Sequence, residues 1–95
     1  MTRMLVLTNA REGREDEFDT WYDTVHLPRL REVPGVRWAV RYQAQGPGGH
    51  KYLAVYELDN AAVAQEISRR SATGENTPSD ALDVTTAKVT LWEPI

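Results

Sequence analysis

Apolar positions fall along this chain in two rhythms, and the switches between them mark out its elements. Met4-Leu5-Val6-Leu7-Thr8 is a short apolar run with a β-branched centre, the mark of a buried strand. Asn9 to Gly13 supplies the turn out of it. The spacing then changes. Phe18, Trp21 and Val25 form an apolar stripe at helical intervals, behind an acidic first turn of Glu15, Asp16 and Glu17 that meets the positive end of the helix dipole. The helix is predicted to run to about His26 or Leu27. Pro28 lacks an N–H, so it either kinks the helix or opens a new short turn. Leu30 to Val33 can continue helically, and Pro34-Gly35 ends the segment.

Period two takes over at Val36. Val36, Trp38, Val40, Tyr42 and Ala44 alternate with Arg37, Ala39, Arg41 and Gln43, which predicts a strand with one large apolar face. Arg37 and Arg41 are expected on the opposite face, toward solvent or toward a carboxylate across an interface. The loop from Gln45 to His50 has four breakers and no apolar anchor, so a mobile hairpin tip is expected there. Lys51 to Leu58 returns as the second strand of that hairpin. Asp59 or Asn60 caps a helix from Ala61 to about Ser71, with Val63, Ala64 and Ile67 turned to a core. Thr73 to Asp80 is a polar loop with room for one helical turn at Pro78 to Leu82, and Val84 to Glu93 is a last strand.

The order β-α-β-β-α-β makes two split βαβ halves. It predicts an α+β, ferredoxin-like fold in a single domain of residues 1–95, a four-stranded antiparallel sheet with its helices on one face. The other sheet face would stay bare in a monomer, and a second copy stacked on it would cover it. Size argues the same way. A chain of 95 residues buries only roughly 60–65% of its surface, so its core is thin and a homodimer is the expected state.

Charge and cysteine content narrow the partners. A net charge of −3 with scattered basic residues argues against a nucleic acid or an anionic membrane as partner. The absence of cysteine removes disulfides, a thiol nucleophile and a thiolate metal site. Met4 to Leu7 is too short for a signal or membrane segment, so a soluble, cytoplasmic protein is expected. Two distant histidines without an H-x-x-H or H-E-x-x-H pattern predict no metal site. Gly46-Pro47-Gly48-Gly49 is no phosphate loop, since a strand follows it, and Ser68, Ser71 and Ser79 lack a nucleophile-elbow setting.

Chemistry concentrates between Phe18 and Pro28. Tyr22 and His26 are i,i+4 neighbours on a helix face, and Asp23 stands three residues before His26. The dipole at a helix C-terminus and Asp23 both favour imidazolium, whereas desolvation by an aromatic wall opposes it. An imidazole balanced between those effects titrates near neutral pH, as general acid–base catalysis requires. The competing role for His26 is a cap on a last-turn carbonyl. Tyr22 either orients the imidazole, donates to a substrate oxygen, or simply packs. Trp38 and Tyr42 share one strand face. They build the floor under His26 if that face meets the helices, or a dimer core if it meets a second copy. His50, on the glycine-rich tip, is expected to be solvated, and Trp92 to be a core or interface anchor.

Trp21-Tyr22-Asp23-Thr24-Val25-His26-Leu27-Pro28, followed by Val33-Pro34-Gly35-Val36 and Arg41-Tyr42, resembles the signature of EthD-like proteins in the dimeric α/β-barrel superfamily. Ala81-Leu82-Asp83 and Leu91-Trp92-Glu93-Pro94 resemble the tail of such proteins. The resemblance implies two ferredoxin-like subunits closing a barrel, with a pocket in each between sheet and helices. It maps His26 and Tyr22 as proton-moving residues, with Tyr42 beside them. Within that superfamily the first expected function is a cofactor-independent lyase, isomerase or cyclase acting on a small, oxygenated, largely apolar substrate. The second is a monooxygenase or haem-handling protein, in which His26 ligates iron or Trp21, Trp38 and Asn9 hold an electron-rich aromatic substrate. The third is a small-ligand binding or stress-associated protein without turnover.

Overall fold

The computed structural model describes residues 1–74 and 78–95. Its elements are β1 (Thr2–Ala10), α1 (Glu15–Trp21), a π turn (Tyr22–His26), α2 (Leu27–Arg31), β2 (Val36–Gln43), β3 (Tyr52–Leu58), α3 (Ala61–Ala72) and β4 (Leu82–Trp92). The strands form one antiparallel sheet in the order β2-β3-β1-β4, the ferredoxin-like arrangement expected from the sequence.

Register shows which residues share a face. On one face, Ala39, Tyr56 and Met4 stand side by side across β2, β3 and β1, with Ala54 and Leu58 on the same side of β3. They join Phe18, Tyr22, Leu27, Leu30, Val33, Val63, Ala64 and Ile67 in one core between sheet and helices. The opposite face carries the rows Tyr42–Leu53–Leu7–Lys88, Val40–Val55–Leu5–Thr90 and Trp38–Glu57–Arg3–Trp92. No helix of this chain covers those rows among the described residues. Trp38 is 37% exposed and Tyr42 53%, so the open face takes both, and neither lies under His26. In the third row Arg3 pairs with the buried Glu57 at 2.8 Å and lies 5.4 Å from the Trp38 ring.

Local chemistry accounts for the element ends. Asn60, rather than Asp59, caps α3, its side-chain oxygen accepting from the Ala62 N–H at 3.0 Å. Val33-Pro34-Gly35-Val36 closes on a bond from the Val36 N–H to the Val33 carbonyl, with Gly35 at φ +95°. Proline then glycine at the two central positions suits a type II turn. A Cβ at Gly35 would come within 2.5 Å of the Val63 side chain, so glycine is also what lets α3 approach this turn. The helical turn expected at Pro78 to Leu82 is absent. Ser79 to Leu82 makes a single reverse turn and Leu82 already belongs to β4, because pairing with Ala10 extends the strand backwards. Of the polar loop from Thr73 to Asp80, Glu75, Asn76 and Thr77 lie outside the described residues.

Helix α1 does not stop near His26. It passes through the π turn into α2 and continues to Arg31, with Pro28 inside the helical run. Proline has no N–H for the carbonyl four residues back and its ring crowds that carbonyl. The chain widens by one residue at this point: the Leu27 N–H bonds the Tyr22 carbonyl, five residues back. Thr24 loosens the same stretch, its hydroxyl donating to the Thr20 carbonyl at 2.6 Å.

Candidate functional site

The widened turn decides what His26 touches. In an α-helix, residues five apart stand about 140° apart around the axis. Here the His26 ring instead stacks on Trp21, five residues back, with centroids 4.6 Å apart and planes 21° apart. Tyr22 meets the same imidazole edge-on at 4.8 Å. The i,i+4 neighbourhood expected from the sequence is therefore present, and the i,i+5 stack with Trp21 is added to it. Nδ1 of His26 is buried, while the residue as a whole is half-buried.

Behind the imidazole lies a phenol pair. The hydroxyls of Tyr22, from the π turn, and Tyr56, from β3, are 2.6 Å apart in the core. Burial raises the Tyr22 phenol above its ordinary value, with the bond from Tyr56 and the charge of Arg41 pulling part of the way back. Burial, reinforced by Tyr22, drives Tyr56 further up. Both phenols stay protonated around neutral pH, so they donate hydrogen bonds and neither serves as a base. The Tyr22 hydroxyl is engaged by Tyr56, which makes Tyr22 a residue that positions His26 through its ring. Phe18 completes the cluster, its ring 5.6 Å from Tyr22 and 4.9 Å from Tyr52.

Arg41 is the residue the sequence reading missed. It was expected at solvent or at an interface, yet it turns into the seam between β2 and the helical run. There it bonds Asp19 at 2.7 Å and Asp23 at 2.9 Å. Burial acts to lower its pKa, but hydrogen bonds and attraction from both carboxylates win and raise it. A hollow of about 300 Å³ opens beside it, lined by Asp19, Asp23, Arg41, Tyr42, Gln43 and Tyr52. The signal available in the sequence was Asp19 and Asp23 at i,i+4, a pair of carboxylates on one helix face that calls for a cation between them.

Other expected site residues lie elsewhere. Trp38 and Tyr42 stand on the open sheet face, which decides the question the sequence left open against a floor under His26. Asn9 ties down the hairpin: its Nδ2 donates to the Gly49 carbonyl at 3.2 Å and its Oδ1 accepts from the Lys51 N–H at 2.7 Å. His50 is likewise not simply solvated, since its Nε2 donates to the Thr86 carbonyl at 2.7 Å. The far end of the loop expected to be mobile is thus tied to β1 and β4. Among the described residues no group of three or more His, Cys, Asp or Glu could hold a metal ion. Nor is any helix among them long and apolar enough to cross a membrane.

No family model matches the sequence, and no curated protein matches it. Solved structures do match. An ethyl tert-butyl ether d (EthD) family protein from Bacillus halodurans superposes with a TM-score of 0.75 at 19% identity, over 100% of this chain and 99% of the other. A variant of MhuD with two manganese protoporphyrin IX bound per active site superposes with a TM-score of 0.75 at 12% identity, over 100% and 95%. An antibiotic biosynthesis monooxygenase superposes with a TM-score of 0.67 at 14% identity, over 100% and 99%. At these identities the likeness is one of fold. It meets the expectation of a ferredoxin-like fold, one that an EthD-family protein shares.

Proposed function

We propose, from a fold shared with EthD-family and monooxygenase structures, that this chain is a cofactor-independent enzyme in which His26 moves a proton. The reaction class is that of a lyase, isomerase or cyclase, and the substrate is small, oxygenated and largely apolar. The observation that carries the reading is the His26 ring held between Trp21 and Tyr22 in front of the Tyr22–Tyr56 phenol pair. An imidazole fixed on two sides loses little freedom on reaching a reacting C–H. Taking a proton alpha to a carbonyl and returning it elsewhere needs one group with a pKa near neutrality, which a histidine supplies. Tyr22 orients the ring, and Trp21 keeps water from one of its faces. We further propose that the working unit is a homodimer closed over the open sheet face.

The experiment is proton exchange, which needs no foreknowledge of the product. Enolisable ketones, lactones and hydroxyaromatics are incubated with the protein in D2O, and deuterium uptake is followed by NMR. His26→Ala is expected to lower exchange by roughly a hundredfold or more with sedimentation and circular dichroism unchanged. The helix runs on past His26, so a cap is no longer the alternative; if His26 only packs, the same change costs about 1 kcal/mol of stability and leaves exchange as it was, which refutes the proposal.

A haem-handling role is the second reading, favoured by the protoporphyrin-bound MhuD neighbour. Nδ1 of His26 is buried and Trp21 covers one ring face, so Nε2 is the nitrogen that would hold the iron. A Soret band that shifts on haem titration of the unaltered protein and of His26→Ala alike would establish binding without histidine ligation. A shift lost in that variant would favour this reading over the first.

A further inference from the structure

The Arg41 guanidinium is gripped by the helical run that carries His26. Nη2 donates to Asp19 in α1 at 2.7 Å, and Nη1 donates to Asp23 in the π turn at 2.9 Å. The fork therefore spans the junction where backbone bonding changes from four-residue to five-residue spacing. Its central carbon lies 4.5 Å from the Tyr22 ring centroid, with Phe18 at 5.6 Å and Tyr52 at 5.7 Å. The Arg41 side chain is only 16% exposed, although both aspartates reach solvent. Exposed ion pairs contribute little by themselves. A planar fork against an aromatic face is different, because the geometry is specific and lysine cannot copy it.

The π turn needs something to hold it. Isolated π turns are rare, and a helix gains regular four-residue bonding by reverting to α. Reversion between Tyr22 and His26 would leave His26 about 140° from Trp21 around the axis, and the stack at 4.6 Å would be lost. Pro28 obstructs reversion from the C-terminal side; on the N-terminal side, Arg41 grips the two residues flanking the start of the turn.

We propose that Arg41 is a positioning residue of the His26 centre: by bridging Asp19 and Asp23 and stacking on Tyr22, it holds the π turn in register and so fixes the imidazole on Trp21. Its catalytic consequence rests on the proton-transfer reading of His26, while the positioning itself rests on geometry alone. The test reads the imidazole directly. A ring stacked on an indole is shielded, so the carbon-bound His26 protons resonate upfield of a free histidine in 1H–13C NMR of the full chain. Arg41→Gln is expected to lose most of that displacement, with the amide signals of β1 and β3 in place. Arg41→Lys restores less than half of it, because the fork is gone. Arg37→Gln, which removes the Asp59 pair on the same strand, leaves the displacement whole.

Should Arg41→Gln fail to fold, Asp23→Asn takes its place, with partial loss expected. An unchanged displacement in folded Arg41→Gln, or in Asp23→Asn where the first variant is unfolded, overturns the proposal. Where exchange activity is found, kcat falls roughly tenfold to a hundredfold in Arg41→Gln with KM held. Absence of exchange in the unaltered protein refutes proton transfer by His26, and the ring signals still decide the role of Arg41.

Discussion

Tyr22 and Tyr56 give this protein a stability that depends on alkaline pH. Both phenols are raised above 10.0 in the folded chain, chiefly by burial. Above about pH 10 the unfolded chain releases protons that the folded chain keeps. The folded state then binds more protons, and stability falls as pH rises; below that range the contribution is fully present. Urea unfolding at about pH 8 and about pH 10.5 should show this loss. The double variant Tyr22→Phe/Tyr56→Phe should show less of it, since removing both hydroxyls together leaves neither buried alone. An equal loss in the double variant would assign the alkaline sensitivity to other groups. At this scale the sequence was only half legible. His26, Tyr22 and Trp21 stood out because they crowd into six positions of one helix. Arg41 did not, because alternation along β2 says which residues share a face and not which face meets the helices. An apolar row of Trp38, Val40 and Tyr42 suggests a core, yet here it is the outer row.

Among the elements, the hairpin tip and the π turn hold contacts that the sequence did not announce, for opposite reasons. Glycine and proline in the β2–β3 loop signal freedom, but they carry no information about Asn9 and Thr86, which reach the loop from other strands. Asn9→Ala should remove two bonds to the loop and His50→Ala one, at about 1 kcal/mol for each bond. Hydrogen exchange at the Lys51 amide, which donates to Asn9, reports the first change directly. A Lys51 amide already unprotected in the unaltered chain would return the loop to its mobile reading. The π turn was hidden because helix periodicity from Glu15 to Arg31 is continuous in character, and Pro28 announces a disturbance without saying how it is absorbed. Element order and type were readable throughout, since strands of period two and helices of period 3.6 alternate here with clear breakers between them.

At the scale of the whole molecule, the open sheet face dominates. Leu5, Leu7, Val40, Tyr42, Leu53, Val55, Trp38 and Trp92 lie on three parallel rows across four strands, and Trp92 remains 59% exposed. A surface of this kind is what a second copy would cover. Sedimentation at micromolar concentration should give a dimer, and Val40→Lys, in the middle row, should give a folded monomer. A stable monomer before any substitution would sink the proposed assembly. The sheet also has two free edges, β2 and β4, and these raise a hazard of their own. Opposite Thr8 alone, β4 spends the four residues 84–87, so its ladder to β1 is interrupted. Within that excursion Asp83 accepts from the Thr85 N–H and hydroxyl, and Thr86 donates to the Asp83 carbonyl. An edge strand that was straight from Leu82 to Trp92 would offer an unbroken row of donors and acceptors, beside Val84, Val89 and Leu91, to any passing chain. Interrupted as it is, β4 is a poor template for fibril growth, and the irregularity that spoils its pairing closes one of the two edges of a small, apolar-faced sheet to polymerisation.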